Sequence, residues 1–439
     1  MAETRQHCDL LIVGAGPAGL AAAYRATNAG LSVTVVDDNP DAGGQIWRGE
    51  KRKTTSPEAA AWFARIRSAP INFVNGARVF AQPEPGGLVA EVPGGVTEFS
   101  YSNLILATGA RERFLPFPGW TLPNVMGAGG LQAIVKTGLP IEGQRVVVAG
   151  TGPLLLAVAS YLKQKGARVL LVAEQTSAAS LAKFGLALIG QGGKIGQAFQ
   201  LKKTLAGVDY LNSCWPIAAT GTRKVERVVL RRGSKTWKVE CDYLACGFHL
   251  VPNLELGALL NCRIESGAIA VDDFQQTSVE KVYAVGEATG IGGLELSLVE
   301  GEIAGLAVAG RQADARKLFR VRAKQRRFAS VLNKTFALRD ELRELAISDT
   351  IVCRCEDVTL ARLREHSSWR SAKLHTRCGM GPCQGRICGA AVEFVLGWTP
   401  ESVRPPVFPV RVDSLILSAH SASRRLTAET QNAQSKEGD

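Results

Sequence analysis

The firmest limit on what this chain can fold into is the run Leu10-Leu11-Ile12-Val13 passing directly into Gly14-Ala15-Gly16-Pro17-Ala18-Gly19. An apolar strand that meets three glycines and resumes as the alanine-rich stretch Leu20 to Ala29 predicts strand, tight turn and packed helix. A second apolar run, Ser32 to Val36, closes the βαβ unit, with Asp37-Asp38 at its tip. The first glycine allows the turn, the second leaves room for a pyrophosphate against the backbone, and the third lets the helix approach the strand. The helix N-terminus then faces the phosphates, and Asp37 is spaced to meet a ribose hydroxyl. The competing reading, a chance glycine turn, does not account for strand, helix, second strand and acid falling in order.

The pattern returns once. Arg145-Val146-Val147-Val148-Ala149 runs into Gly150-Thr151-Gly152-Pro153-Leu154-Leu155, where the third glycine has become Leu155, and Ala173 and Glu174 follow at the next strand tip. Leucine at a close helix-strand contact widens the turn, so three uses stay open: a relic of the fold, an adenine-nucleotide site holding ATP, or a working NAD(P)H site. Glu174, pointing inward, would disfavour a 2'-phosphate.

Four cysteines near the C-terminus carry a different chemistry. Cys353-Arg354-Cys355 places two thiols one residue apart, and Cys383-Gln384-Gly385-Arg386-Ile387-Cys388 places two more at a turn entering a helix. The first pair can reach one iron and the second the other, the requirement of a 2Fe-2S cluster. Gly379, Gly381 and Gly385 keep bulk away and free backbone N–H groups to point at sulfur. Zinc and unmetallated thiols compete, although a one-residue spacing suits zinc poorly and a chain without a secretory signal is a poor candidate for disulfides. Cys378, five residues before Cys383, ranks as a neighbour.

At 439 residues the chain has room for about three domains, and 46% hydrophobic residues describe a compact α/β protein. Its longest nearly apolar run, Val146 to Leu162, is short for a membrane span and is broken by Gly150, Gly152 and Pro153, so the expectation is cytoplasmic. The net charge of +12 concentrates at Arg311, Arg316, Lys317, Arg320, Arg322, Lys324, Arg326 and Arg327. No aromatic platform or DNA-binding motif accompanies it, which argues against nucleic acid and for a solvated helix face or an acidic partner.

Beyond the first turn come Gly43-Gly44-Gln45, the strand Leu104-Ile105-Leu106 ending in Ala107-Thr108-Gly109, and Val282-Tyr283-Ala284-Val285 ending in Gly286-Glu287. In this order they resemble flavoproteins built from two dinucleotide-binding domains. That resemblance favours FAD at the first turn, makes Ala107-Thr108-Gly109 a chain crossing between domains, and brings Glu287, where an Asp is usual, to the ribityl-phosphate end of the flavin. No redox-active cysteine pair lies between Gly43 and Asn75, so a dithiol enzyme lacks its catalyst; Cys241 and Cys246 read as buried small side chains, and His249 as structural or a proton relay.

Phe117-Pro118-Gly119-Trp120, Cys353-Arg354-Cys355-Glu356-Asp357 and Thr376-Arg377-Cys378-Gly379-Met380-Gly381-Pro382-Cys383-Gln384-Gly385 together resemble the α subunits of opine and D-hydroxyproline dehydrogenases and the B subunit of hydrogen cyanide synthase, over roughly residues 8 to 415. The C-terminal stretch is also similar to bacterioferritin-associated ferredoxin, whose ligands map onto Cys353, Cys355, Cys383 and Cys388. The implied fold is two Rossmann-like domains plus a small helical 2Fe-2S domain: 1–115 with 268–345 for FAD, 116–267 for the second nucleotide, 346–400 for the cluster, and 401–439 as an extended strap and disordered tail. The segment Phe328 to Leu345 is expected to be a tethering helix.

The implied function is electron transfer inside a complex. A partner flavoprotein resembling D-amino-acid or glycine oxidase would oxidise the amine, a small ferredoxin-like subunit would join it, and this chain would deliver electrons to a quinone or other respiratory acceptor, which can bring it to the inner membrane surface. No acid-base pair or nucleophile for amine chemistry stands out, so the expectation is no catalytic residue here. A self-sufficient NAD(P)H-dependent reductase and a nucleotide-binding scaffold are the alternatives.

Overall fold

The computed structural model describes residues 2–50, 56–187, 196, 200–400 and 403–417. The expected disordered tail, Ser421 to Asp439, lies outside them. The chain divides into two compact units, Met1–Gly109 with Pro252–Gln325 and Ser402–Asp439, and Ala110–Val251 with Arg326–Glu401.

The first unit is built on a seven-stranded sheet in the order Ile71–Asn75, Val33–Asp37, Ala2–Val13, Gly95–Leu106, Gly87–Val92 and Arg78–Ala81, with Val282–Ala284 also pairing with Gly95–Leu106. The first four strands and Val282–Ala284 are parallel, and the two outer ones return antiparallel. Strands so placed are covered on both faces, which is why Leu10-Leu11-Ile12 is a continuous apolar run and wholly buried. Helix Pro17–Thr27 packs against helix Leu294–Val308 with backbones nearly touching. A Cβ on Gly301 would stand 2.1 Å from the Ala18 carbonyl oxygen, and one on Gly305 would stand 2.4 Å from that of Ala22. The strap Arg404 to Pro409 docks on this unit through the Val407 N–H, which donates to the Phe80 carbonyl at 2.9 Å.

The second unit holds a five-stranded, wholly parallel sheet in the order Asp209–Leu211, Arg168–Glu174, Arg145–Thr151, Tyr243–Phe248 and Val125–Gly127. A three-stranded antiparallel sheet, Cys214–Thr220, Arg227–Arg232 and Lys235–Glu240, lies beside it. Cys241 and Cys246 are buried here, and burial pushes the Cys241 thiol up to about 12, so neither is a reactive thiol. His249 shares a hydrogen bond with the neighbouring Leu250 carbonyl, and burial lowers its pKa, leaving it neutral near pH 7.

The cysteine-rich stretch belongs to this unit. It comprises strands Ile351–Cys353 and Val358–Thr359 and helices Leu360–Arg364, Trp369–Thr376 and Cys388–Leu396. The Phe117-Pro118-Gly119-Trp120 motif holds it in place: the Trp120 indole N–H donates to the Ile351 carbonyl at 2.5 Å, and the Ala219 N–H donates to the Pro118 carbonyl at 2.8 Å. Arg111 adds a bond from Nε to the Arg386 carbonyl at 3.1 Å. Arg343 donates to the Phe394 carbonyl and lies over that ring.

Two expectations need correction. The tethering helix covers Phe319–Thr335 instead of Phe328 to Leu345, ending before Phe336; the chain then runs extended to a short 3-10 turn, Asp340–Glu344. The basic run is also not wholly solvated. Arg322 is buried, donating to the Asp273 carbonyl and, at 2.7 Å, to its carboxylate, with its guanidinium over Phe319. A buried guanidinium with this many partners ties a helix down and offers nothing to an external acid.

Candidate functional site

Three sites can be built from the residues upward. The first lies in unit one, where strand Ala2–Val13 ends and helix Pro17–Thr27 begins. Gly14 has φ +111°, and a Cβ there would stand 2.2 Å from the Ala107 carbonyl oxygen, so the turn cannot tolerate a side chain. The Gly43 N–H donates to the Ala15 carbonyl at 2.8 Å, which lays Gly43-Gly44 against the loop. Among the described residues beyond its chain neighbours, a Cβ on Gly16 would meet the Cα of Gly44 at 4.0 Å, so a second glycine and no side chain faces the place that a pyrophosphate would approach.

Asp37 and Asp38 divide their tasks. Asp37 is buried; Oδ2 accepts from the Ala15 N–H at 2.6 Å, and Oδ1 accepts from the backbone and side-chain N–H groups of Asn39 at 2.8 Å each. Its carboxylate therefore braces the glycine turn. Asp38 is exposed at the strand tip, the position from which a carboxylate can reach a ribose. Arg48, bonded through Nη2 to Asn39 at 2.8 Å, has a buried Nε with no partner among the described residues.

Gly286 and Glu287 approach the same turn from the other side. The Gly286 N–H donates to Glu300 Oε2 at 3.2 Å, and the Thr289 hydroxyl donates to that oxygen at 2.9 Å. Glu287 Oε1 accepts from the Gly293 N–H at 2.7 Å, while Oε2 is buried and has no partner among the described residues. Burial raises the Glu287 pKa, with the backbone N–H groups of Gly293 and Gly292 acting against it. An acceptor kept from water and left unpaired costs about 1–3 kcal/mol, so this oxygen is suited to a ligand hydroxyl. Ala107-Thr108-Gly109 is fixed by Asn253: the Thr108 hydroxyl donates to the Asn253 carbonyl and the Asn253 amide to the Thr108 carbonyl, both at 2.8 Å. Gln45 is exposed beside Gly44.

The second site is the turn Gly150 to Leu155 in unit two. A Cβ on Gly150 would stand 1.9 Å from the Gly247 carbonyl oxygen, the same backbone approach as at Gly14. Leu155 does not widen the turn as expected. Its side chain lies 3.3 Å from where a Gly247 Cβ would be, so glycine on the neighbouring strand supplies the room that the third glycine usually gives. Glu174 points inward and is fully buried; Oε2 accepts from the Gly152 N–H at 2.7 Å and Oε1 from the Thr176 N–H at 2.8 Å. Desolvation raises its pKa against those bonds. Pro153 opens helix Pro153–Gln164, as Pro17 opens its own.

Chain beyond helix Phe319–Thr335 covers this turn. Where a Gly152 Cβ would point, the Phe336 ring lies at 3.9 Å. The Thr151 hydroxyl donates to the Phe336 carbonyl at 3.2 Å, Gln175 Nε2 to the Ala337 carbonyl at 3.1 Å, and the Arg339 N–H to Gln175 Oε1 at 3.2 Å. Phe336 is buried and meets Phe184 edge to face, centroids 5.2 Å apart.

The third site gathers thiols. The sulfurs of Cys353, Cys378 and Cys388 lie within 4.8 Å of one another, all buried. Cys383 bonds to both Cys388 and Cys355, so Cys355, which is exposed, joins the same group. Cys378 thus stands inside the group and not merely near it. Backbone N–H groups of Gly379 and Glu356 point at Cys353, and those of Ile387 and Gly385 at Cys383. Hydrogen bonds from Cys378 and Cys388 lead in holding Cys353 far below an ordinary thiol, and one from Cys388 leads in lowering Cys383 to about 5. Gly381 sits where a Cβ would strike that of Cys355 at 2.3 Å. The same contacts raise Cys388 and push Cys378 up to about 12, and burial raises Cys355, so the sulfurs share their protons; close-set thiols ringed by N–H donors are what an iron-sulfur cluster requires of its cage. All ten cysteines are free.

Residues 8–313 match the pyridine nucleotide-disulphide oxidoreductase family. The chain belongs to that family. Within it the chain groups with the A subunit of opine oxidase from Rhizobium meliloti, 31% identical over 98% of this chain and 90% of the relative, and with the HcnB subunit of hydrogen cyanide synthase from Pseudomonas aeruginosa, 31% identical over 86% and 90%. Among solved structures, L-proline dehydrogenase from P. horikoshii superposes with a TM-score of 0.66 at 18% identity, covering 94% of this chain and 80% of that one. Thioredoxin reductase from T. acidophilum gives 0.54 at 20% identity, covering 70% and 99%. This member of the family is a flavoprotein oxidoreductase with two Rossmann-like domains, and its thiol group lies beyond the residues matched by the family. No helix among the described residues is long and apolar enough to cross a membrane.

Sequence reasoning missed Glu300, Asn253, Gln175 and Phe336. Glu300 had a partial signal, since it stands beside Gly301 in a helix of mostly small and apolar residues, but Glu302 shares that setting and only tertiary packing tells them apart. The other three act through tertiary contact and leave no local signal.

Proposed function

We propose that this chain is the FAD- and 2Fe-2S-bearing electron-transfer component of a multisubunit amine or amino-acid dehydrogenase. In this reading the flavin is held in unit one by Gly14, Ala15, Gly16, Pro17, Ala18 and Gly19, with Asp38 on the ribose, Gly44 and Gln45 beside the turn, Ala107-Thr108-Gly109 beneath it, and Gly286-Glu287 at the ribityl end. The observation that carries it is the unpaired, buried Glu287 Oε2, next to Gly286, which packs on Ala18 of the first glycine turn, in a chain that also gathers three of its thiols into one group. Cys353, Cys355, Cys383 and Cys388 are the proposed iron ligands, within residues 346–400. When bound, a flavin takes two electrons as a hydride equivalent and a 2Fe-2S cluster passes them singly.

The chain's own residues bind, orient and shield. Asp37 and Glu300 hold the turn and Gly286 in position, Gly381 admits Cys355 to the thiol group, and backbone N–H groups favour the thiolates. Among the described residues, Asp37, Glu174 and Glu300 are buried carboxylates that accept from backbone N–H groups, which suits bracing and not proton abstraction from an amine. Amine chemistry is thus assigned to a partner flavoprotein, as the word subunit in the names of the relatives supports. A quinone or other acceptor and a small ferredoxin-like polypeptide complete the proposed complex. The amine itself is left unassigned among opines, hydroxyproline, proline, sarcosine and glycine.

Purified chain is expected to contain one flavin and two irons with acid-labile sulfide, and to give a paramagnetic signal on dithionite reduction. It is expected to oxidise no amine until a partner is added. Full turnover by the isolated chain, or a preparation without sulfide, would overturn this reading. A pyridine-nucleotide reductase is the second reading, favoured by family membership; rapid anaerobic flavin bleaching by NADH would select it.

A further inference from the structure

The family name implies a pyridine nucleotide, and the turn Gly150 to Leu155 is where a two-domain member would bind it. The residues present do not fit one. We infer that the chain's own segment Phe336 to Arg339 closes this crevice, so that no dinucleotide binds at the second glycine turn. This goes beyond the electron-transfer reading, because it concerns a ligand that the second unit refuses and holds whichever amine is oxidised.

A dinucleotide at such a turn lays its pyrophosphate over the second glycine and the helix N-terminus and its ribose on the acid at the next strand tip. Here Phe336 stands over the second glycine, Glu174 braces the turn as Asp37 braces the first, and Gln175, the next residue at the strand tip, is bonded to the chain's own backbone. The Phe336 ring lies 3.9 Å from where a Gly152 Cβ would point, so a phosphate laid over that glycine would meet an aromatic ring, where at Gly16 it would meet only the Cα of Gly44. Glu174 gives its two oxygens to the Gly152 and Thr176 N–H groups at 2.7 and 2.8 Å and is fully buried.

The segment is also fastened. Thr151 donates to the Phe336 carbonyl, and Gln175, itself fully buried, donates to the Ala337 carbonyl and accepts from the Arg339 N–H. Gln175 follows Glu174 directly at the strand tip, so a side chain placed to read a nucleotide ribose instead reads the backbone of its own chain. Withdrawal of the segment would strand three polar groups and strip Phe336 from Phe184. A nucleotide has to bear that cost before it gains any contact, which lowers its apparent affinity by the population of the open form.

The test uses the full, flavin-loaded chain with NADH, NADPH and ADP-ribose as probes, read by calorimetry. Unaltered protein is expected to show no saturable binding up to about 1 mM, the upper end of usual substrate requirements. Phe336→Gly is expected to gain binding by at least about tenfold, with flavin content and circular dichroism retained. Saturable binding to the unaltered chain that Gly152→Val abolishes would overturn the inference. So would a folded Phe336→Gly variant that still binds nothing, since the ring would then not be the barrier. Truncating a buried ring also removes packing, so hydrogen exchange on the unaltered chain supplies an independent reading. Peptides spanning 150–156 and 335–340 are expected to exchange identically with and without NADH; protection confined to them would count against the closed crevice. None of these readouts depends on iron, partner or amine, so failure of the electron-transfer reading would leave them unchanged.

Discussion

The two glycine turns use the same backbone device for opposite ends. Gly14 presses on the Ala107 carbonyl as Gly150 presses on that of Gly247, and a buried acid braces each turn, Asp37 through the Ala15 N–H and Glu174 through that of Gly152. The turns differ in what faces the second glycine. At Gly16 the neighbour is the bare α-carbon of Gly44, at 4.0 Å, and an unpaired Glu287 oxygen lies in the same unit, whereas at Gly152 the neighbour is an aromatic ring, at 3.9 Å, and nearby polar side chains are spent on the backbone that carries it. A glycine turn is thus a structural joint first, and it can serve a ligand only where no side chain of the chain itself lies over its second glycine.

The largest expected effect strikes both turns alike. Gly14→Val and Gly150→Val each demand a β-branched residue at φ +111° or +137° and against a carbonyl oxygen, at 2.2 and 1.9 Å. Each is expected to cost about 4 kcal/mol or more and to yield insoluble protein. Soluble Gly150→Val with normal thermal unfolding would show that the second turn is no longer a joint.

Gln175→Ala separates the turns. It removes the bonds to Thr151, Ala337 and Arg339 from a fully buried position and is expected to destabilise by about 2–3 kcal/mol, with flavin content unchanged. Loss of flavin in this variant would break the distinction between the units. In unit one, Asp37→Asn is expected to destabilise the fold by about 1–2 kcal/mol by spoiling the Ala15 bond, while Asp38→Asn leaves unfolding alone and weakens flavin binding by about 1 kcal/mol. Equal effects of the two on unfolding would cancel the division of tasks between these neighbours.

Much of this was legible because it is local. Strand, turn and helix follow from apolar runs and glycine, and the parallel sheets follow from runs with no polar face. The cysteine spacing likewise pointed to a thiol group near the C-terminus, and Cys353 and Cys388 of the expected four do lie together. What stayed hidden depends on distant chain. Nothing around Phe336 distinguishes it from an ordinary helix-face aromatic, and its helical spacing points to a helix that in fact stops one residue earlier. Cys378 was set aside by its spacing, yet the loop brings its sulfur within 4.8 Å of those of both Cys353 and Cys388. The Leu155 substitution looked like damage until Gly247, far along the chain, took over the missing glycine's task.

The smallest expected effect is a slope. Burial holds the Glu287 pKa above the ordinary glutamate value, so the folded chain keeps a proton that the unfolded chain has already released. Its contribution to stability is therefore full below about pH 4.3 and declines as pH rises through the folded value. Glu112 and Glu174 in unit two are raised by burial as well and add a decline of the same sign. A flavin hydroxyl donating to Glu287 Oε2 would favour the carboxylate, lower its pKa and remove its share alone. Melting curves of flavin-free chain between pH 4 and 8, about the range in which carboxylates so raised titrate, are expected to fall more steeply than those of Glu287→Gln or of flavin-loaded chain. The residual slope common to all three then includes Glu112 and Glu174 of the second unit, and Asp38 of the first, which desolvation also raises, adds to it in the flavin-free samples. If loading with flavin leaves the slope as steep as before, Oε2 faces no donor from the cofactor, and the first turn loses one of the features that set it apart from the second.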